Sequence, residues 1–144
     1  MTFVPVSATA KNFKLRFFKK TGSVAFVQNS LVDWPASKTG YFVAATSSTT
    51  KLCGITQFVT TASDADYTLN TLKPILVPVN GNESEVYATV ASGAATDVGL
   101  RCDLTDAVTV NNGASSVGRF MVTGYKNATT LIGYLLPVAQ TGAA

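Results

Sequence analysis

The stretch Pro74-Ile75-Leu76-Val77-Pro78-Val79-Asn80-Gly81-Asn82-Glu83-Ser84-Glu85-Val86-Tyr87-Ala88-Thr89-Val90 decides how the chain is to be read. Val86, Ala88 and Val90 alternate with Tyr87, Thr89 and Ala91, the period of two that belongs to a half-buried strand. Asn80-Gly81-Asn82 precedes them and reads as a hairpin turn, because Asn and Gly accept the positive φ that tight β-turns demand. Ile75-Leu76-Val77 is a short apolar run between two prolines. Proline cannot donate to a central ladder, so this run is expected at a sheet edge.

Outward from that stretch the pattern continues in both directions. Ser23 to Gln28, Leu31-Val32, Tyr41 to Ala45 and Lys51 to Thr60 read as strands, with Gly54 expected at a bulge or a close approach. Downstream, Val98 to Leu104, Ala107 to Val110, Arg119 to Tyr125 and Thr130 to Val138 read likewise. Asn29-Ser30, Ser92-Gly93, Asn111-Asn112-Gly113 and Lys126-Asn127-Ala128 are turns. Only residues 61–72 offer a short helix, with Ser63 as cap and Asp64 and Asp66 near its positive end, and a polar loop fits them equally. Turn signals about every 8–12 residues predict an all-β sandwich or barrel.

Composition agrees. Of 144 residues 47% are hydrophobic and only 13% charged, with a net charge of +3. Disordered chains show the opposite profile. Weak electrostatic repulsion between copies suits a protein that works inside an assembly, and an ordinary monomer with a Ser/Thr-coated exterior is the alternative. The two cysteines, Cys53 and Cys102, are too few for a disulfide framework and are expected as buried free thiols of a protein made in a reducing compartment. No signal peptide and no membrane helix is expected.

The charge is unevenly placed. Five of the eleven basic residues (Lys11, Lys14, Arg16, Lys19 and Lys20) lie in the first 20 positions, and the first acidic residue is Asp33. The expected organisation is therefore an extended N-terminal arm, 1–20, and a β domain, 21–144. Extended, the arm points Phe13, Leu15 and Phe17 one way and Lys14 and Arg16 the other. Three readings stand open for it: a first strand of the core, a docking element for an acidic protein surface, and a nucleic-acid contact. Basic residues interleaved with aromatics suit phosphates and base stacking. The rest of the chain has six basic against eight acidic residues and offers no basic groove, so direct nucleic-acid binding is not expected. Partner contact is assigned to Phe13, Lys14, Leu15, Arg16, Phe17, Phe18, Lys19 and Lys20. Trp34, beside Pro35 and near Tyr41 and Phe42, is assigned as a core or interface anchor in preference to a sugar-stacking platform.

Catalytic constellations are not evident. Without histidine the chain lacks the commonest general base and metal ligand. Neither CxxC spacing nor a Walker or GxGxxG glycine loop occurs. The carboxylate pairs Asp64/Asp66, Glu83/Glu85 and Asp103/Asp106 fall beside turns, where acidic residues cap and solvate. No enzyme activity, cofactor or metal is expected.

Two stretches carry a resemblance. Ser23-Val24-Ala25-Phe26-Val27-Gln28-Asn29-Ser30-Leu31-Val32, followed by Gly40-Tyr41-Phe42-Val43-Ala44-Ala45-Thr46 and Lys51-Leu52-Cys53-Gly54-Ile55, resembles small capsid decoration (cement) proteins of tailed phages. Gly93-Ala94-Ala95-Thr96-Asp97-Val98-Gly99-Leu100-Arg101-Cys102-Asp103-Leu104-Thr105, with Phe120 to Tyr125 beyond it, is similar to the β-barrel part of phage head accessory proteins. The resemblance implies a non-enzymatic virion protein, dimeric or trimeric, that binds the major capsid protein of an assembled head and holds capsomers together. Another virion part (coat, head-completion or tail component) and a cellular carbohydrate- or nucleic-acid-binding β module are the alternatives.

Overall fold

The computed structural model describes residues 3–35, 37–49 and 51–136. Their strands are β1 (Val4–Pro5), β2 (Phe13–Lys19), β3 (Leu31–Asp33), β4 (Val43–Ala44), β5 (Leu52–Thr56), β6 (Leu72–Pro78), β7 (Glu85–Thr89), β8 (Arg101–Leu104), β9 (Val110–Asn111), β10 (Phe120–Asn127) and β11 (Thr130–Leu135). They make two antiparallel sheets, ordered β1-β7-β11-β10-β8-β9 and β2-β6-β5-β3-β4. The chain is thus all-β, as its turn spacing predicts.

The alternating stretch behaves as its pattern demands. Val86, Ala88 and Val90 are buried while Tyr87 and Thr89 are partly exposed. With Phe3, Leu104, Phe120, Val122 and Leu131 they meet Leu31, Leu52 and Ile55 of the second sheet in the larger core cluster. β10 and β11 form a hairpin, closed at Ala128-Thr129, in which Gly133 is obligatory. A Cβ there would stand 2.0 Å from the Met121 carbonyl oxygen and 2.6 Å from the Phe120 ring.

The five-stranded sheet curls into a half-barrel. Beyond β2, Lys20 bridges in parallel to Phe42, just before β4, so the two edge strands of that sheet meet at one end. A second cluster fills the curl: Phe26, Val32, Phe42, Cys53 and Ile75, with Phe18, Trp34 and Phe58 packed against them. Its rings meet at an angle, Phe18 on Trp34 at 5.2 Å and Phe26 on Phe42 at 5.3 Å between centroids, an arrangement the aromatic quadrupole favours.

Several expectations are corrected. Ile75-Leu76-Val77 is not in an edge strand, since β6 lies between β2 and β5. The Gln57 N–H donates to the Pro74 carbonyl at 3.1 Å, so residue 74, and by parity Pro78, faces β5. On that side β6 pairs only through Ile75 and Leu76. The two missing N–H groups therefore fall outside the two paired positions of a short ladder. Asn80-Gly81-Asn82 makes no hairpin either. A single 3-10 turn, Gly81–Glu83, carries the chain from one sheet to the other. Ser23 to Gln28 contributes one bridge, Phe26 to Thr60, instead of a strand.

Residues 61–70 are successive turns without a helix. The Asp64 carboxylate accepts the Thr61 N–H, and Tyr67 and Leu69 donate to the carbonyls of Asp64 and Asp66. Asp side chains that bond nearby backbone compete with helical pairing, which explains the outcome. Gly54 does mark a close approach: β3 pairs with β5 across a register shift there, and a Cβ on Gly54 would meet the Leu76 carbonyl oxygen at 2.4 Å.

The N-terminal segment is not confirmed as a separate arm. Phe3 is fully buried in the larger core cluster, β1 pairs with β7, and all seven residues of β2 pair with β6. The segment is built into both sheets.

Candidate docking edge

β2 is an edge strand, and its register fixes what each face presents. Directly paired residues share a face, so Leu15, Phe17 and Lys19 lie with Leu76, Pro74 and Leu72. Leu15, Phe17 and Leu72 are 51%, 56% and 59% exposed, an apolar strip on an otherwise polar edge. Phe13, on the same face, is drawn in against the larger core cluster. On the opposite face Lys14 and Arg16 are exposed, with the Arg16 guanidinium 5.6 Å from the centre of the Phe18 ring. The alternation expected from the sequence is present. The greasy side, however, is left largely uncovered at Leu15 and Phe17.

The backbone of the edge divides by parity. Lys20 donates to the Thr71 carbonyl at 2.9 Å, so even-numbered residues turn their peptide groups to β6 and odd-numbered ones turn them outward. Outward, the Lys19 carbonyl accepts from the Phe42 N–H at 3.0 Å, and the Phe13 N–H is held by the Ala10 carbonyl. Between these two points no strand of the described residues covers Leu15 and Phe17. The row is a template for strand addition.

Lys20 has a different place from the other seven. It is fully buried, and its Nζ donates to the carbonyls of Asp66, Tyr67 and Leu69 at 2.9, 3.2 and 2.6 Å. The expected contact residue is therefore a pin that holds the turns of 61–70 over the end of the half-barrel. Phe18 is half-buried against Trp34, and Trp34 packs on the smaller core cluster, so this pair contributes to the interior. Leu72 and Pro74 belong to the strip, and the sequence alone assigns them no contact role. Their only signal was the Leu72-Lys73-Pro74 order, which becomes informative once the β2–β6 register is known.

The carboxylates are committed to partners within the fold. Each of the eight accepts at least one hydrogen bond. Asp103 is the most engaged: Oδ1 accepts the Val117 and Gly118 N–H groups at 2.8 and 2.7 Å, and Oδ2 accepts Ser116 Oγ at 3.0 Å. Burial pushes its pKa up, but these donors outweigh burial and hold it below the usual carboxylate range. Asp33 goes the other way, raised chiefly by burial. Among the described residues no three His, Cys, Asp or Glu side chains gather where a metal ion could sit. The single ion pair found there is Lys73 to Asp66 at 2.8 Å.

Arg119 is wholly buried between the sheets' loops. Nε donates to the Thr49 carbonyl at 2.6 Å and Nη1 to the Gly118 carbonyl at 2.8 Å, while Asp103 and Asp33 supply compensating negative charge. Desolvation lowers its pKa and the two carboxylates oppose that shift. Cys53 and Cys102 are buried free thiols in different clusters, pushed up by burial to about 12 and about 11, with neighbouring carboxylates adding to the shift. A thiol that keeps its proton is a poor nucleophile. A polar cleft lined by Thr9, Lys11, Asn12, Asn80, Asn82, Glu83 and Glu85 spans about 550 Å³, but it is broadly open, and the amides of Asn12 and Asn80 both donate to Glu83. No helix among the described residues is long and apolar enough to cross a membrane. Comparison with protein-family models, with curated proteins and with solved structures gave no match for this chain.

Proposed function

We propose that this chain is a non-enzymatic structural protein of a virus particle, which docks on an assembled shell through the β2 edge and decorates it. The observation that carries the docking half of this reading is the strip Leu15, Phe17 and Leu72 beside an uncovered row of backbone groups. Monomeric proteins blunt such edges, and an edge left open with apolar side chains is suited to a partner. The phage half rests on the resemblance of residues 23–32, 40–46 and 51–55, and of residues 93–105 and 120–125, to capsid decoration and head accessory proteins. Those two stretches supply strands of different sheets, β3 to β5 in one and β8 and β10 in the other.

The test uses empty shells of the major capsid protein from the phage that carries this chain. The protein should cosediment with them and raise their melting temperature, and oligomeric state before and after binding should be read by light scattering. Failure to bind these shells would sink the decoration role. Affinity for nucleic acid that collapses with salt would favour the nucleic-acid module. Glycan binding lost on Trp34→Ala would favour the carbohydrate module.

A further inference from the structure

Deepening that docking reading, we propose that the open edge of β2 from Phe13 to Phe17 takes up an extended segment of another protein in which acidic and apolar residues alternate. The geometry specifies the occupant's chemistry. An antiparallel guest strand would pair with the outward peptide groups of Leu15 and Phe17. Its residues opposite those two share their face, where exposed Leu15, Phe17 and Leu72 ask for apolar side chains. Its residues opposite Lys14 and Arg16 fall on the other face, where carboxylates complete the charge.

A second copy of this chain is a poor occupant. Antiparallel pairing of two β2 edges about Leu15 sets Lys14 of one copy opposite Arg16 of the other, and like charges directly opposite are destabilising. The chain's own carboxylates are also engaged in hydrogen bonds within the fold, as described above. Residues 137–144, Pro-Val-Ala-Gln-Thr-Gly-Ala-Ala, carry no acidic side chain that could answer the two cations.

The probe is a fluorescein-labelled nine-residue peptide of alternating valine and glutamate, with a valine-lysine peptide as control, read by anisotropy against the full chain. The glutamate peptide should bind at least tenfold more tightly than the lysine peptide and weaken as salt is added. Leu15→Pro removes an outward N–H and leaves the ladder to β6 intact, so it should stay folded and lose at least tenfold in affinity. Methylating peptide nitrogens tests the same hydrogen bonds without touching the protein. Methylation at the valines, which turn their N–H groups to β2, should abolish binding; methylation at the glutamates should spare it. Equal binding of both peptides, a folded Leu15→Pro that binds at full strength, or a homodimer that Leu15→Pro dissociates would each overturn the proposal. Shell binding that survives Leu15→Pro would overturn docking through this edge and leave the decoration role standing.

Discussion

Asp103 and Arg119 show how single side chains hold the loops of this fold. The folded pKa of Asp103 lies below its unfolded value, so its contribution is complete above the ordinary carboxylate pKa. It is lost as pH falls through the depressed folded value. Asp103→Asn keeps the shape and can leave an oxygen to the Val117 and Gly118 N–H groups, but it puts an NH2 toward Ser116 and replaces charge-assisted bonds with neutral ones, which should cost about 1–3 kcal/mol in urea unfolding at pH 7. The loss should shrink in acid, where the wild type forfeits the same bonds. Lys20→Met strands the Leu69 carbonyl and takes one of two donors from the carbonyls of Asp66 and Tyr67, which keep the Leu69 and Ser23 N–H groups, and should cost about 1–3 kcal/mol by the same measurement. Hydrogen exchange should place the local loosening at 61–70. Cys53 and Cys102 should resist a disulfide-exchange reagent in the native protein and react in full once denaturant is added, because burial keeps both protonated.

Strands and their connections were legible to different degrees. Val86, Ala88 and Val90 announced β7 because the strand buries one face only, and a one-sided strand writes its burial into the sequence as alternation. The β10–β11 hairpin was readable for the same reason, with a local turn between its strands. Strands of two or three residues, such as β1, β4 and β9, carry too short a pattern to announce themselves. Prolines at 74 and 78 pointed to an edge because a missing donor is harmful only where a neighbour needs it, and that depends on how far β5 extends alongside. The docking edge was half legible: the alternation of β2 stood in the sequence, whereas its pairing with β6 and the burial of Lys20 are tertiary facts. At this scale Gly133→Ala is the telling substitution. The added methyl would collide with the Met121 carbonyl and the Phe120 ring, and the hairpin must open to admit it. A loss of about 1–3 kcal/mol is expected by thermal or urea unfolding.

For the whole molecule, the N-terminal residues decide whether a fold exists. Phe3 sits in the larger core, β1 closes one sheet and β2 completes the other. Removal of residues 1–20 should therefore leave a chain without cooperative unfolding, seen by circular dichroism and as an expanded or aggregated species in light scattering. The pairing of β2 with β6 also orders events in time. Residues 13–19 leave the ribosome long before residues 72–78 exist to receive them. At about 5–20 residues per second, the delay is roughly 3–12 s. Throughout it Phe13, Leu15, Phe17 and Phe18 have no ladder to join, flanked by four cations and no acid. Folding must wait on the later half of the message, and during that interval the nascent chain is a natural client for a holding chaperone.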